Sequence, residues 1–292
     1  MADKVWKGNT GGTTWMQRSL ITMMEFIPLR IMYVVIDIFV IPFYMLFVHQ
    51  AYLAMYHFYR LRRGCSMLGA FMNVYRNECK FAQIILDRFY IYSGGKMDFE
   101  IDNFELYEQL AKSDEAFVIY SAHIGNYEAA GYKLKANNKR YNALVYGGES
   151  ETVMENRRRL MAENNINMIV TKDDLSHLFE MNNALSNGES LSIPGDRMFG
   201  SQRHITCSFM GAKAKFPLGP FAIAAQRETP AIAIHVMKEK THLYHIYIQK
   251  IHGEGKNIKE RAENLARDYV AGLEKVVNAY PTQWFNYYEF WA

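Results

Sequence analysis

One histidine in this sequence is followed, five residues on, by a carboxylate in a setting that can make a base. His123 and Glu128 lie within SAHIGNYE, Ser121 to Glu128, directly after FVIYSA, Phe117 to Ala122, an apolar run that reads as a buried strand. An imidazole whose first ring nitrogen is held by a carboxylate can take a proton on its second. On one continuous helix, residues five apart lie about 140° around the axis and do not meet. The spacing works if His123 closes the strand and Gly125 permits a tight turn. Asn126 then caps the helix that carries Glu128. That geometry puts the pair at the carboxyl end of a strand, where α/β sheets gather their chemistry. The competing reading is a hydrogen-bonded histidine that simply ends a core strand.

Other side chains could serve such a base. Arg157, Arg158 and Arg159 read either as a solvated or headgroup-facing helix surface or as an anion site, since the guanidinium fork suits a phosphorylated headgroup. Asp196, in PGDRMFG from Pro194 to Gly200, is either a turn residue or part of a site. Arg159, Arg197 and the backbone N–H groups near Gly195 are candidate donors to a developing oxyanion. Asn126, Arg157, Arg159, Asp196 and Arg197 are therefore the candidate substrate-binding residues. His242 and His245 are three apart on an expected strand, so they face opposite ways and make a poor metal pair. Cys65, Cys79 and Cys207 form no C-x-x-C pair, and no H-E-x-x-H, P-loop or Rossmann glycine pattern occurs. Neither a metal nor a bound cofactor is implied.

The elements that must position these residues follow from periodicity. Strands are expected at Phe117–Ala122, Tyr141–Tyr146, Asn167–Val170, Ser190–Pro194, Pro230–Met237 and His242–Ile248. Helices are expected between them at Asn126–Lys135, Glu151–Asn164, Leu175–Ser186, Leu218–Arg227 and Ile258–Ala279. This alternation predicts an α/β sandwich with a largely parallel sheet. With 292 residues, half of them hydrophobic and 22% charged, a sizeable core is available and disorder is disfavoured. The net charge of +3 is too small to suggest nucleic acid, and suits an anionic membrane surface or an acidic carrier protein equally.

The chain divides at about residue 63, into an N-terminal membrane-anchoring segment, 1–63, and an α/β domain, 64–292. Ile31 to Val48 is apolar apart from Asp37 and spans about 27 Å as a helix, close to a hydrocarbon core. Arg60, Arg62 and Arg63 follow it. Asp37 is costly in lipid, and Pro42 should kink or end the helix. A spanning helix, an interfacial helix and a buried core helix all stay open. The run begins late and lacks a small-residue cleavage site, which argues against a signal peptide.

SAHIGNYE resembles the H-x4-(D/E) motif of lysophospholipid-type acyltransferases. It is more similar to the H-x-G-N-W-E form of bacterial lipid A late acyltransferases (lauroyl and myristoyl transferases) and their phosphatidylinositol mannoside relatives. Arg157 to Arg159 lie where that family carries functional arginines. PGDRMFG resembles its D-x-x-(Y/F)-G segment, Gly211 to Ala224 its segment ending in G-P before a helix, and Pro281, Gln283 and Trp284 its P-x-Q-W ending. Tyr127 stands for the usual Trp, and Arg197 and Met198 follow Asp196 where a second acid is common.

The resemblance implies a lysophospholipid-acyltransferase-like sandwich preceded by an N-terminal hydrophobic membrane helix, on the cytoplasmic face of a bacterial inner membrane. It implies His123 as base and Glu128 as its orienting acid, moving a fatty acyl group from a thioester to a hydroxyl, or an amine, of a lipid or glycolipid. The donor would be acyl carrier protein, with acyl-coenzyme A as the alternative. A lysophosphatidic-acid-type enzyme is a rival, but IPGDR lacks the Glu and Thr of its F/V-P-E-G-T-R segment. A thioester hydrolase and a non-catalytic membrane scaffold are the others.

Overall fold

The computed structural model describes residues 14–47, 49–134, 139–148, 151–172, 174, 176–198 and 202–291. The N-terminal part is helical: α1 (Thr14–Phe26), α2 (Leu29–Val35), α3 (Ile41–Phe47) and α4 (His49–His57). A π-turn, Ile36–Val40, joins α2 to α3, and a second, Phe58–Arg62, extends α4. The expected break at Pro42 is thus absorbed: the ladder widens just before the residue that lacks an N–H, and the helix runs from Leu29 to Phe47. Next comes α5 (Met67–Tyr92), a 26-residue helix whose first turn is capped by the Ser66 hydroxyl.

The remaining elements alternate. They are β1 (Asp98–Asp102), α6 (Phe104–Lys112), β2 (Phe117–Ser121), α7 (Tyr127–Lys133), β3 (Tyr141–Val145), α8 (Glu151–Glu163), β4 (Ile166–Val170), α9 (Ser176–Ser186) and β5 (Ser190–Pro194). A hairpin, β6 (His204–Phe209) and β7 (Ala212–Pro217), leads into α10 (Leu218–Arg227), β8 (Ala231–Lys238), β9 (Leu243–Ile251), α11 (Ile258–Ala279) and a 3₁₀ turn, Pro281–Gln283. The expected strands and helices are all present, with ends shifted by a few residues. Strand β1, helix α6 and the hairpin are additions to that reading.

Seven strands form one sheet in the order β1-β9-β8-β2-β5-β3-β4. The five from β8 to β4 are parallel, and β9 and β1 run the other way because β9 pairs antiparallel with β8. Both faces are covered, so β2 and β8 are buried at every residue and are mostly apolar. Val118 and Tyr120 of β2 face a core shared with α10, α11, the hairpin and the C-terminal segment. Phe117 and Ile119 face the opposite core, with α6 and α7.

The connections leaving β2 and β5 define one crevice. After β2 the chain crosses one face through α7 to β3; after β5 it crosses the other face through α10 to β8. Adjacent parallel strands whose connections diverge leave an opening beyond their carboxyl ends.

Candidate active site

His123 and Asp196 meet at that opening. Ser121 pairs with Pro194 in the last register position of β2 and β5, and each chain continues two residues further, one to the histidine and the other to the aspartate. The His123 Nδ1 is 2.8 Å from Asp196 Oδ1, and the His123 backbone N–H donates to Oδ2 at 2.7 Å. Both carboxylate oxygens are thereby engaged by one residue. The Asp196 side chain is buried, whereas that of His123 keeps 24% of its surface accessible. A carboxylate can only accept, so Nδ1 carries the proton and Nε2 keeps its lone pair.

The electrostatics favour that state. Burial and the Arg197 charge lower the His123 pKa below its ordinary value, against the opposing pull of Asp196, so the ring stays neutral. For Asp196, burial pushes the carboxyl up, but the imidazolium that His123 becomes at acid pH and its hydrogen bonds, aided by Arg197, hold it below the usual range. Tyr127 presents its ring edge-on to the imidazole, with centroids 5.8 Å apart.

Glu128 is elsewhere, which corrects the expected His123–Glu128 contact. Gly125 sits at φ +58, and a Cβ there would lie 2.0 Å from the Val236 carbonyl oxygen, so only glycine fits the turn. Beyond it the first turn of α7 aims Glu128 at α5 and α8, away from the mouth. Arg157 grips Glu128 with Nε at 3.2 Å and Nη2 at 3.0 Å, Arg88 forms an ion pair at 3.2 Å, and Tyr132 and Tyr92 donate to Oε1. Burial alone would raise the Glu128 carboxyl; the two guanidiniums and the bonds from Arg157 and Tyr132 outweigh it and hold the group far below the carboxylate range.

The other expected residues divide. Arg157 is buried and committed to Glu128, so it does not face a substrate. Arg159 is exposed on α8, where it donates to the Tyr92 carbonyl at 3.2 Å and to Asn156. Arg197 donates to the Phe285 carbonyl at 2.7 Å and lies over the Tyr288 ring. Asn126 occupies the N-cap position of α7, but its side chain makes no cap and instead donates to the Tyr244 hydroxyl at 3.2 Å. The Gly195 N–H, expected as an oxyanion donor, is spent on the Ser121 carbonyl. Phe199 and Gly200, the end of the D-x-x-(Y/F)-G segment, lie outside the described residues. Among the described residues there is no cluster of three or more His, Cys, Asp or Glu able to hold a metal.

The C-terminal segment braces the site in a way the sequence reading missed. Ile124 forms an antiparallel bridge with Trp284, Phe285 donates to the His123 carbonyl, and Gly125 donates to the Gln283 carbonyl. Asn77 of α5 holds this segment by the carbonyls of Thr282 and Trp284. The P-x-Q-W spacing was the available signal, and its distance from His123 in sequence hid the contact.

A partly accessible histidine backed by a carboxylate, at the carboxyl ends of two central strands of an α/β sheet, has the form of the base-and-orienter half of a catalytic triad. Residues 83–291 match the bacterial lipid A biosynthesis acyltransferase family, and the chain belongs to it. Among solved structures it is similar to the 1-acyl-sn-glycerophosphate (LPA) acyltransferase PlsC from Thermotoga maritima. That alignment has 12% identity, covers 89% of this chain and 98% of that one, and gives a TM-score of 0.37. No curated protein sequence matches the chain.

Proposed function

We propose that this acyltransferase moves a fatty acyl group from a thioester to a hydroxyl of a lipid or glycolipid, as in late acylation of lipid A, with His123 as general base. The observation that carries the reading is the Asp196 carboxylate on Nδ1 of a partly open imidazole. The acceptor O–H gives its proton to Nε2 as its oxygen attacks the thioester carbonyl carbon. The tetrahedral species collapses, the C–S bond breaks, and the leaving thiolate recovers the proton from the imidazolium. Asp196 fixes the tautomer and stabilises the charged ring, the part first assigned to Glu128. Arg197, whose charge bears on both groups, is a candidate to stabilise the oxyanion. Arg159, on the exposed face of α8, suits a phosphorylated acceptor headgroup.

Acyl carrier protein is the proposed donor, drawn to the basic side chains Arg60, Arg62 and Arg63. Attachment to the bilayer is supported by the family and by the helix Leu29–Phe47, which is long and apolar enough to cross a membrane. Its outward side exposes Phe39, Phe43, Leu46 and Phe47, while Leu29, Tyr33 and Ile41 pack inward. Asp37 is not left to lipid: it accepts from Gln83 of α5 at 2.8 Å. This favours a helix lying along the domain at the cytoplasmic membrane surface over an isolated span.

The test is acyl transfer by the full-length protein in mixed micelles, using dodecanoyl-acyl carrier protein and a lipid A precursor. Acylated product whose formation requires His123 is expected. Thiol release without acylated product would make the protein a hydrolase. Equal use of dodecanoyl-coenzyme A, unaffected by salt, would replace the proposed donor.

A further inference from the structure

The turn after His123 is locked by a closed circuit of buried polar groups. The Gly125 N–H donates to the Gln283 carbonyl at 2.8 Å, and the Gln283 side chain bonds both backbone groups of Lys238, each at 2.9 Å. The Lys238 ammonium is 2.5 Å from Asp87 Oδ2, the same oxygen that accepts from the Tyr244 hydroxyl. That hydroxyl accepts from Asn126, the neighbour of Gly125, which completes the ring. Every member of it is buried, with Asp87 and Tyr244 at 0% exposure.

One group in contact with this circuit comes from the apolar N-terminal helix. Tyr33 of α2 donates to the other oxygen of Asp87 and accepts from the Lys238 ammonium at 2.9 Å. The helix has a second polar tie to α5 that touches none of these groups. Asp37 accepts from Gln83, and its carbonyl accepts from Tyr75 at 2.8 Å. The first tie therefore bears on the turn that carries His123, and the second does not.

Removing the Tyr33 hydroxyl would leave one oxygen of a fully buried carboxylate without its donor. Such a group recruits a new partner or shifts, because leaving it unsatisfied is costly. Its remaining partners, Lys238 and Tyr244, are the ones that brace Gln283 and Asn126, so the shift is passed to the turn. We propose that Tyr33 is a positioning residue for His123, through which docking of the N-terminal helix on α5 sets the geometry of the base. The helix would then complete the active site as well as attach the protein to lipid. This rests on the reading of His123 as the base.

The experiment compares Tyr33→Phe, Gln83→Leu and His123→Ala in full-length protein. It measures membrane sedimentation, kcat and KM with dodecanoyl-acyl carrier protein and a lipid A precursor, and kcat against pH. Tyr33→Phe should still sediment with membranes and keep KM for the donor, while kcat falls roughly ten- to a hundredfold, as misplacing a catalytic group does. Its acid inflection should move up toward that of an ordinary solvated histidine. Gln83→Leu, which removes the second tie and leaves the Tyr33 contacts in place, should leave kcat and the inflection unchanged.

Wild-type kcat and inflection in Tyr33→Phe would overturn the inference, as would an equal fall in Gln83→Leu. A kcat lowered with the inflection fixed would indicate fewer folded molecules, and overturns it too. Should Tyr33→Phe not accumulate, Asp87→Asn tests the same circuit, and a wild-type inflection there overturns the inference. Near-normal turnover in His123→Ala is a separate outcome and would remove the base assignment itself.

Discussion

Two buried carboxylates, Asp196 and Glu128, flank the same turn and have opposite surroundings. Asp196 is held by one histidine whose ring reaches the surface, with an arginine charge nearby. Glu128 is enclosed by two arginines and two tyrosines from α5, α7 and α8. A carboxylate saturated by fixed cations has nothing left to give a reacting group, while one that grips a single imidazole can share the charge that ring acquires. The difference lies in their partners, since burial is nearly the same for both.

The largest expected effect tests the Asp196 half. His123→Ala should lower turnover by roughly 10²–10⁴-fold. Asp196→Asn should fall within or near that range, because an amide can stabilise the wrong tautomer. The double variant should be scarcely worse than either alone, since the two act as one unit. Losses that multiply in a double-mutant cycle would break the pairing.

Glu128→Gln tests the other half. It leaves the buried Arg157 and the partly buried Arg88 short of a counter-charge, a loss of about 3–5 kcal/mol in stability of the kind seen when one member of a buried pair is removed. Denaturant unfolding should report that loss, while kcat per folded molecule stays close to wild type. A loss of kcat matching His123→Ala in a fully folded sample would return Glu128 to the chemistry. The linkage has a definite sign: the Glu128 pKa is depressed in the folded state, so its contribution is complete above the ordinary carboxylate value and is lost as pH falls through the depressed one. In Glu128→Gln that acid-side loss should be absent.

The pH profile sharpens the comparison further. As the proposed base His123 must be neutral, and its pKa is lowered, so kcat should rise with pH through an inflection below 6.5 and then level off. An inflection above 6.5 would mean the ring is less buried in the working enzyme. The smallest effect is expected at Arg159: Arg159→Ala should raise KM for a phosphorylated acceptor several-fold with kcat intact, and Arg159→Lys should recover part of it. An unchanged KM in both would assign Arg159 to the solvated surface.

Much of this was legible in the sequence. The runs that became β2 and β8 are mostly apolar because both sheet faces are covered, and the ends of α10 and α11 match the expected Leu218–Arg227 and Ile258–Ala279. Gly125 and the position of His123 beyond β2 were also readable, since a tight turn has local chemistry. The partner of His123 was not. Spacing along the chain pointed to Glu128, whereas the contact is set by the register of β2 against β5, which joins residues 73 positions apart. Strand β1 and the hairpin escaped for a different reason: their alternating faces are half exposed, so no continuous apolar run marks them. The polar circuit was equally hidden, because Asp87, Lys238 and Asn126 look like surface residues until their partners are brought to them.

The contact of Phe285 and Gln283 with His123 and Gly125 also has a meaning in time. At about 5–20 residues per second, a ribosome that has just made His123 needs roughly 8–32 s more to reach Phe285. During that interval the helix Leu29–Phe47 has already been made, while the turn after His123 lacks the C-terminal segment that will hold it. On the proposed reading, a nascent chain would reach lipid before it could act on it, and the order of synthesis itself would delay the reaction until the whole domain has been made.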